Sequence, residues 1–265
     1  MTTTVLRLLT YLAPSIPLGL YETIGDYLAA TLDVDVEVHS ETGHSGPGPH
    51  TDNPFADGDA DVGFVCAPSY TWLSETASRA AELVGVAPVH DDSRNEQRAV
   101  YFSELVVRPD HGARSFDELQ GSRFAFNDDC SLSGYFSVLD RLAARDQDES
   151  FFGDVVQSGS HLRSLDMLAD GTIDCAAIDA NTLHFLDSTG AAADVRVLET
   201  LGPFAVQPVI VRSSLDAELK QSIADALLHM HYASGGEPLR RYGVLRFAEV
   251  DDAHYADVRQ RMKLR

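Results

Sequence analysis

The chain has 265 residues, 44% of them hydrophobic and 23% charged, which is enough to build a sizeable core in one large or two modest domains. Its formal charge of −21 repels nucleic acid and anionic membrane and argues against both as partners. Three scattered cysteines, Cys66, Cys130 and Cys175, with no Cys-x-x-Cys spacing, exclude a disulfide scaffold and a zinc module. Lys220 and Lys263 are the only lysines, and such an acidic, lysine-poor surface suits salty surroundings, where charge is screened. Any anion site must therefore be shielded locally by directed donors.

Val5 to Leu12 reads as a buried strand and Ala13 to Pro17 as a turn. A helix to about Leu32 follows, with Leu18, Tyr21, Ile24 and Leu28 on one face. Pro14 and Pro17 interrupt the apolar run from Leu8 to Tyr21, so this segment reads as strand and helix rather than a secretion leader. By that criterion alone the place of action is cytoplasmic. No stretch reaches the roughly 20 apolar residues of a membrane span. Val34 to His39 is a second strand, Glu41 to Asn53 a loop rich in Gly, Pro and His, and Asp61 to Cys66 a buried strand before a helix near Pro68. Strands are predicted at Glu82–Val89 and Arg98–Arg108. After Pro109 come a short helix at 116–119, strand 123–126, helix 133–145, strand 151–157, helix 161–169, strand 175–178 and helix 180–187. Strands at 195–198 and 209–211 precede long helices at about 215–232 and 252–262. Alternating strands and helices predict α/β units with mostly parallel sheets.

Three strand-to-helix junctions concentrate polar chemistry. Asn127-Asp128-Asp129-Cys130-Ser131-Leu132-Ser133-Gly134-Tyr135 opens a helix after an apolar strand. Unpaired first-turn amides, aided by the Ser131 and Ser133 hydroxyls, form an anion cradle; equally, Ser131 or Asp129 caps the helix. Gly159-Ser160-His161 repeats the arrangement, with Ser160 a cap and His161 either a surface residue or a donor to an anion. Asp179, before Ala180-Asn181, is either a cap or a carboxylate that orients a ligand. In α/β sheets, ligands bind at the carboxyl ends of strands, where all three junctions fall. His44 and His50 lie in the long loop, and His229 and His231 point apart on a helix, so no metal site is expected. Hydrolase, zinc-protease, P-loop and dinucleotide motifs are absent.

Tyr101-x-Ser103-x-x-Val106-Val107-Arg108, Phe116-Asp117-Glu118-Leu119, the 126–135 stretch, Ser158-Gly159-Ser160-His161 and Asp174-x-Ala176-Ala177-Ile178-Asp179 occur in a characteristic order. Together they resemble the phosphate-, phosphite- and phosphonate-type substrate-binding proteins of ABC importers, along nearly the whole chain. The resemblance implies a type II periplasmic-binding-protein fold, with residues 1–103 and 206–265 in one lobe and 104–205 in the other. Two hinge crossings are expected near 103–108 and 202–208. It further implies that a small oxyanion is captured in an interlobe cleft, with an ABC permease and ATPase as partners. Ser131, the Leu132 amide and Ser133 match the cradle, and Tyr101 and His161 match its other donors. Ser15 and Tyr70 fall on first-lobe loops, and Asp179 is the nearby carboxylate. Val206-Gln207-Pro208 carries no acid near the second crossing, which disfavours an aminophosphonate. A monomer without metal or cofactor, at the periplasm or cell surface, follows from the family. The alternative is a cytosolic enzyme on the same fold, like those of menaquinone or thiamine-pyrimidine synthesis.

Overall fold

A computed structural model describes residues 5–76, 79–232 and 234–264. The chain opens with strand β1 (Val5–Thr10), helix α1 (Leu18–Leu32), strand β2 (Asp35–Ser40), helix α2 (Pro54–Asp57), strand β3 (Val62–Phe64) and helix α3 (Ala67–Glu75). In α1, Leu20, Tyr21, Ile24 and Leu28 are buried on one stripe, as the helical spacing requires. The helix stops at Asp33, which takes a left-handed φ of 55° and returns its amide to the Ala29 carbonyl. Strands β4 (Ala81–Leu83) and β5 (Val86–His90) replace the single strand expected over 82–89. Gly85, at φ 88°, turns the chain between them, so β4 and β5 join different sheets.

Strand β6 (Val100–Val107), strand β7 (Arg123–Phe126), helix α4 (Ser137–Ala143), strand β8 (Asp154–Gln157), helix α5 (His161–Ala169), strand β9 (Cys175–Asp179), helix α6 (Ala180–Ser188) and strand β10 (Arg196–Ala205) come next. Strand β11 (Val209–Arg212), helix α7 (Ala217–His229), helix α8 (Gly236–Arg240), strand β12 (Val244–Glu249) and helix α9 (Ala256–Arg261) complete the chain. Neither α8 nor β12 was expected, because Val244-Leu245-Arg246-Phe247 has no clear alternation. Its partner β5, far away in sequence, makes it a strand.

Two five-stranded sheets result, in the orders β2-β1-β3-β11-β4 and β10-β6-β9-β7-β8, with β12-β5 as a separate ribbon. Both sheets are evenly mixed rather than mostly parallel. In the first, β1 runs parallel to β2 and β3, while the returning β11 runs antiparallel to β3 and β4. In the second, β7 is parallel to β8 and β9, and β6 is antiparallel to β9 and β10. The chain passes from the first set of strands to the second across 91–99 and returns across 206–208. Residues 103–107, expected near the first crossing, lie within strand β6. The Val206 amide bonds the Ala99 carbonyl at 3.2 Å and clamps the two passages together. Core packing follows the sheets. Leu8, Tyr21, Phe64, Val209 and Leu227 fill the space between the first sheet, α1 and α7, and Val106, Ala125, Leu168 and Ile178 back the second. Strand ends from both sheets meet at one cavity.

Candidate ligand-binding site

Ser131 ends the β7 turn in an extended conformation, and its Oγ accepts the Gly134 amide at 3.0 Å. The cap expected at the helix start is therefore present. Its carbonyl accepts both the Tyr135 amide at 3.2 Å and the Phe136 amide at 3.1 Å, which widens the first turn into a π-turn over Leu132–Phe136. Gly134 permits this geometry, because a Cβ there would lie 1.8 Å from the Asn127 Oδ1. Ser103 and Ser137 hydroxyls both donate to the Ser133 carbonyl, at 2.7 and 2.6 Å, and fix the turn from behind.

The cavity in front of this turn has a volume of about 30 Å³. Tyr11, Ser15, Thr42, Ser45 and Cys66 wall it on the side of the first sheet, and Asn127, Asp128, Ser131, Ser133, His161 and Asp179 on the side of the second. Gln207 contributes from the return passage. Such a volume suits a group of roughly a few heavy atoms. Among the described residues, no lysine or arginine lines it.

Of the residues expected from sequence, Ser131, Ser133, His161, Asp179 and Ser15 converge on this wall. Ser133 Oγ lies 3.2 Å from His161 Nε2. Burial holds the His161 imidazole down at about 4, so the ring is neutral near pH 7. The His161 amide donates to Ser15 Oγ at 3.1 Å, and the Thr182 hydroxyl donates to the Ser15 carbonyl at 3.2 Å, bridging the two sides. The Leu132 amide donates to the Cys66 sulfur at 3.2 Å, rather than standing open to the cavity. Tyr101 is 1% exposed and does not line the cavity; its hydroxyl lies behind the wall beside Ser133 and Cys66, without a well-formed hydrogen bond to either. Burial raises its pKa well above the usual range, so it remains a donor.

Tyr70 is a correction. Helix α3 begins at Ala67, so Tyr70 sits inside the helix rather than on a cleft loop, and its hydroxyl donates to Asp252 at 2.6 Å. It lines a separate groove of about 810 Å³ with Ser74, Arg79 and Arg259.

Several cavity residues were not singled out from sequence. Ser45 belongs to the Gly/Pro/His loop, yet it is buried and donates to Asp128 Oδ2 at 2.6 Å. Gly46, at φ 147°, brings that loop so close to α3 that a Cβ would strike the Ser69 side chain. Asn127 Nδ2 also donates to Asp128 Oδ2 at 2.7 Å, and the Cys130 amide donates to Oδ1 at 2.9 Å. Desolvation still raises the Asp128 pKa. Gln207 Nε2 donates to Asp179 Oδ2 at 2.7 Å, and the Asn181 amide donates to Oδ1 at 2.8 Å. Asp179 thus both caps α6 and faces the cavity, and burial pushes its carboxyl up to about 7. At the rim, ligand atoms of His44, Asp128, Asp129 and Cys130 lie within 4.8 Å of one another, a grouping of cation-binding residue types. The bonds from Ser45, Asn127 and Cys130 already engage both Asp128 oxygens, which makes the group a hydrogen-bonded latch across the cleft.

The sequence matches the ABC transporter phosphonate periplasmic substrate-binding protein family over residues 12–255. The chain belongs to this family. Similar solved structures agree in fold. A binding protein component of an ABC phosphonate transporter from Pseudomonas aeruginosa matches with a TM-score of 0.82 at 16% identity, covering 98% of this chain and 86% of that one. PhnD1 from Prochlorococcus marinus, in complex with methylphosphonate, matches with a TM-score of 0.80 at 15% identity, covering 98% and 97%. A Xanthomonas citri protein bound to ATP matches at 0.70 and 17%, covering 99% and 96%. This member of the phosphonate-binding family is a two-lobed α/β solute-binding protein of the ABC transporter type. A small-molecule ligand and permease and ATPase partners follow from membership. The family consists of transport binding proteins, and the cytosolic-enzyme alternative finds no support in it. Among the described residues, no helix is long and apolar enough to cross a membrane.

Proposed function

We propose that this chain captures a small tetrahedral oxyanion, of the phosphate, phosphite or phosphonate kind, for import. Family membership supports the transport role, and the single observation that carries the ligand class is the Ser131–Ser133 turn. It faces a cavity of about 30 Å³, with the His161 ring on the same wall and the buried Tyr101 hydroxyl behind it, beside Ser133. The donors are neutral, so they bind by direction rather than by net charge, as an acidic protein requires. Ser131, Ser133, Tyr101, His161 and Ser15 are the proposed ligand contacts, with Asp179 beside them. The Leu132 amide joins them only if the Cys66 sulfur yields it on binding.

The proposed lobes are, to within a few residues, 1–103 with 206–265, and 104–205, with the whole of β6 (Val100–Val107) moving with the second, closing on the ligand as a monomer at the outer face of the membrane. A thermal-shift panel of phosphate, phosphite, methylphosphonate, 2-aminoethylphosphonate and aromatic acids tests this reading. Stabilisation by one of the first three supports it. Stabilisation by the aromatic acids alone contradicts it.

A further inference from the structure

The proposed oxyanion site contains a buried carboxylate and no cation to neutralise it. Asp179 is 3% exposed; the Asn181 amide and Gln207 each donate a short hydrogen bond to one of its oxygens, and the Asn181 side chain and Thr182 amide are weaker, longer donors beside them. Asp128, the other buried carboxylate on the wall, accepts three and is committed to the latch. Asp179 therefore retains lone pairs for a further donor. The groups that face it are Tyr21 from α1, Cys66 ahead of α3, Tyr101 from β6, Gln207 from the return passage, and the Asn181 and Thr182 amides of α6. None of these is cationic. The other titratable groups on the wall are Tyr11, His44, Cys66, Asp128 and His161. His161 is held neutral by burial.

A fully ionised oxyanion placed against an ionised Asp179 meets like-charge repulsion in a water-poor pocket. A proton between them turns that repulsion into a charge-assisted hydrogen bond. We propose that Asp179 accepts a hydrogen bond from an acidic hydroxyl of the ligand. The site then selects singly protonated oxyanions, such as hydrogen phosphite and hydrogen alkylphosphonates, over sulfate and sulfonates, which carry no such proton. This rests on the oxyanion reading above and deepens it. The high proton affinity that burial gives Asp179 agrees with its role as the acceptor. Gln207 orients the carboxylate and supplies no charge.

The test is titration calorimetry with methylphosphonate, phosphite, methanesulfonate and sulfate, from about pH 5.5 to about pH 8.5, in buffers of different ionisation enthalpy. The wild type is expected to bind methylphosphonate at least about tenfold more tightly than methanesulfonate at the same pH, and to lose about tenfold per pH unit once the ligand is doubly ionised. Asp179→Asn keeps the helix cap and can donate to a bare oxygen, so its pH profile should flatten and its preference over methanesulfonate collapse. Urea melts of the variant verify that it folds. Equal wild-type affinity for the phosphonate and the sulfonate overturns the proposal. So does an Asn variant with unchanged selectivity, or a pH profile that disappears in His161→Gln instead. If neither anion binds at any pH, the oxyanion reading itself fails and this inference falls with it.

Discussion

The Tyr101 hydroxyl is a donor in a place where an unused donor costs free energy. It is buried beside the Ser133 hydroxyl and Cys66, without a well-formed hydrogen bond to either. Tyr101→Phe should therefore leave stability unchanged or raise it by about 1 kcal/mol, since a buried unsatisfied group is removed. If the hydroxyl serves the ligand, methylphosphonate affinity should nevertheless fall about tenfold, as read by calorimetry beside urea melts. Unchanged affinity would remove Tyr101 from the site. Asp179 gives a second residue-scale prediction, from proton linkage. Its folded pKa is raised to about 7 from an ordinary 3.8, so the folded state holds a proton that the unfolded chain has lost between those values. That contribution falls as pH rises from about 4 to about 7. His161 works in the opposite direction, being lowered from 6.5 to about 4, so its contribution grows as pH rises through that window. Asp179→Asn should therefore make stability climb more steeply with pH between about 4 and about 6.5 than in the wild type. Urea melts across that range check it, and an unchanged slope would contradict the assignment.

At the scale of elements, the cleft depends on a glycine. Adding a Cβ at Gly134 drives it into Asn127, whose amide bonds both Ser45 and Asp128. Gly134→Ala should cost about 1–3 kcal/mol of stability, the range for overpacking a filled site, and weaken ligand binding as well. A variant with wild-type melting and affinity would show that the turn relaxes freely. The same element shows what local sequence could reveal. Ser131, Ser133, His161 and Asp179 were legible because helix starts announce themselves through Ser, Gly and Asp, and strand ends in α/β sheets gather ligands. Ser45, Cys66 and Gln207 were not. Their roles depend on a loop folding under α3 and on two sheets meeting, which no local pattern encodes. Tyr70 was misplaced because its hydroxyl is drawn to Asp252, far along the chain, which no local pattern reports. The strand expected across 82–89 failed at Gly85, where a left-handed turn hands the chain from one sheet to another. The mixed pairing of both sheets likewise reflects strands that return through long-range passages, which strand–helix alternation does not report.

At the scale of the whole molecule, the charge of −21 sets how an anion arrives. The surrounding field opposes approach, and the Debye length shrinks from about 30 Å at 0.01 M salt to about 3 Å at 1 M. Association of an anionic ligand should therefore speed up as salt rises, opposite to ordinary steered binding, in stopped-flow measurements. A rate that falls with salt would mean that the cleft carries a local positive field, which its lining does not supply. The central claim is that the Ser131–Ser133 turn cradles an oxyanion rather than only capping a helix. Ser131 already accepts the Gly134 amide, so Ser131→Ala should lose about 1 kcal/mol of stability as well as affinity. Ser133 caps nothing, and its hydroxyl is hydrogen-bonded to His161 Nε2 at 3.2 Å on the same wall. The most direct measurement is therefore calorimetry of Ser133→Ala with methylphosphonate and phosphite, alongside its denaturant melt. A hydrogen bond to a charged group is worth roughly 1.5–3 kcal/mol, so affinity should drop by about tenfold or more, beside a stability loss of about 1 kcal/mol from the missing His161 partner. Wild-type affinity in that variant would contradict the oxyanion cradle.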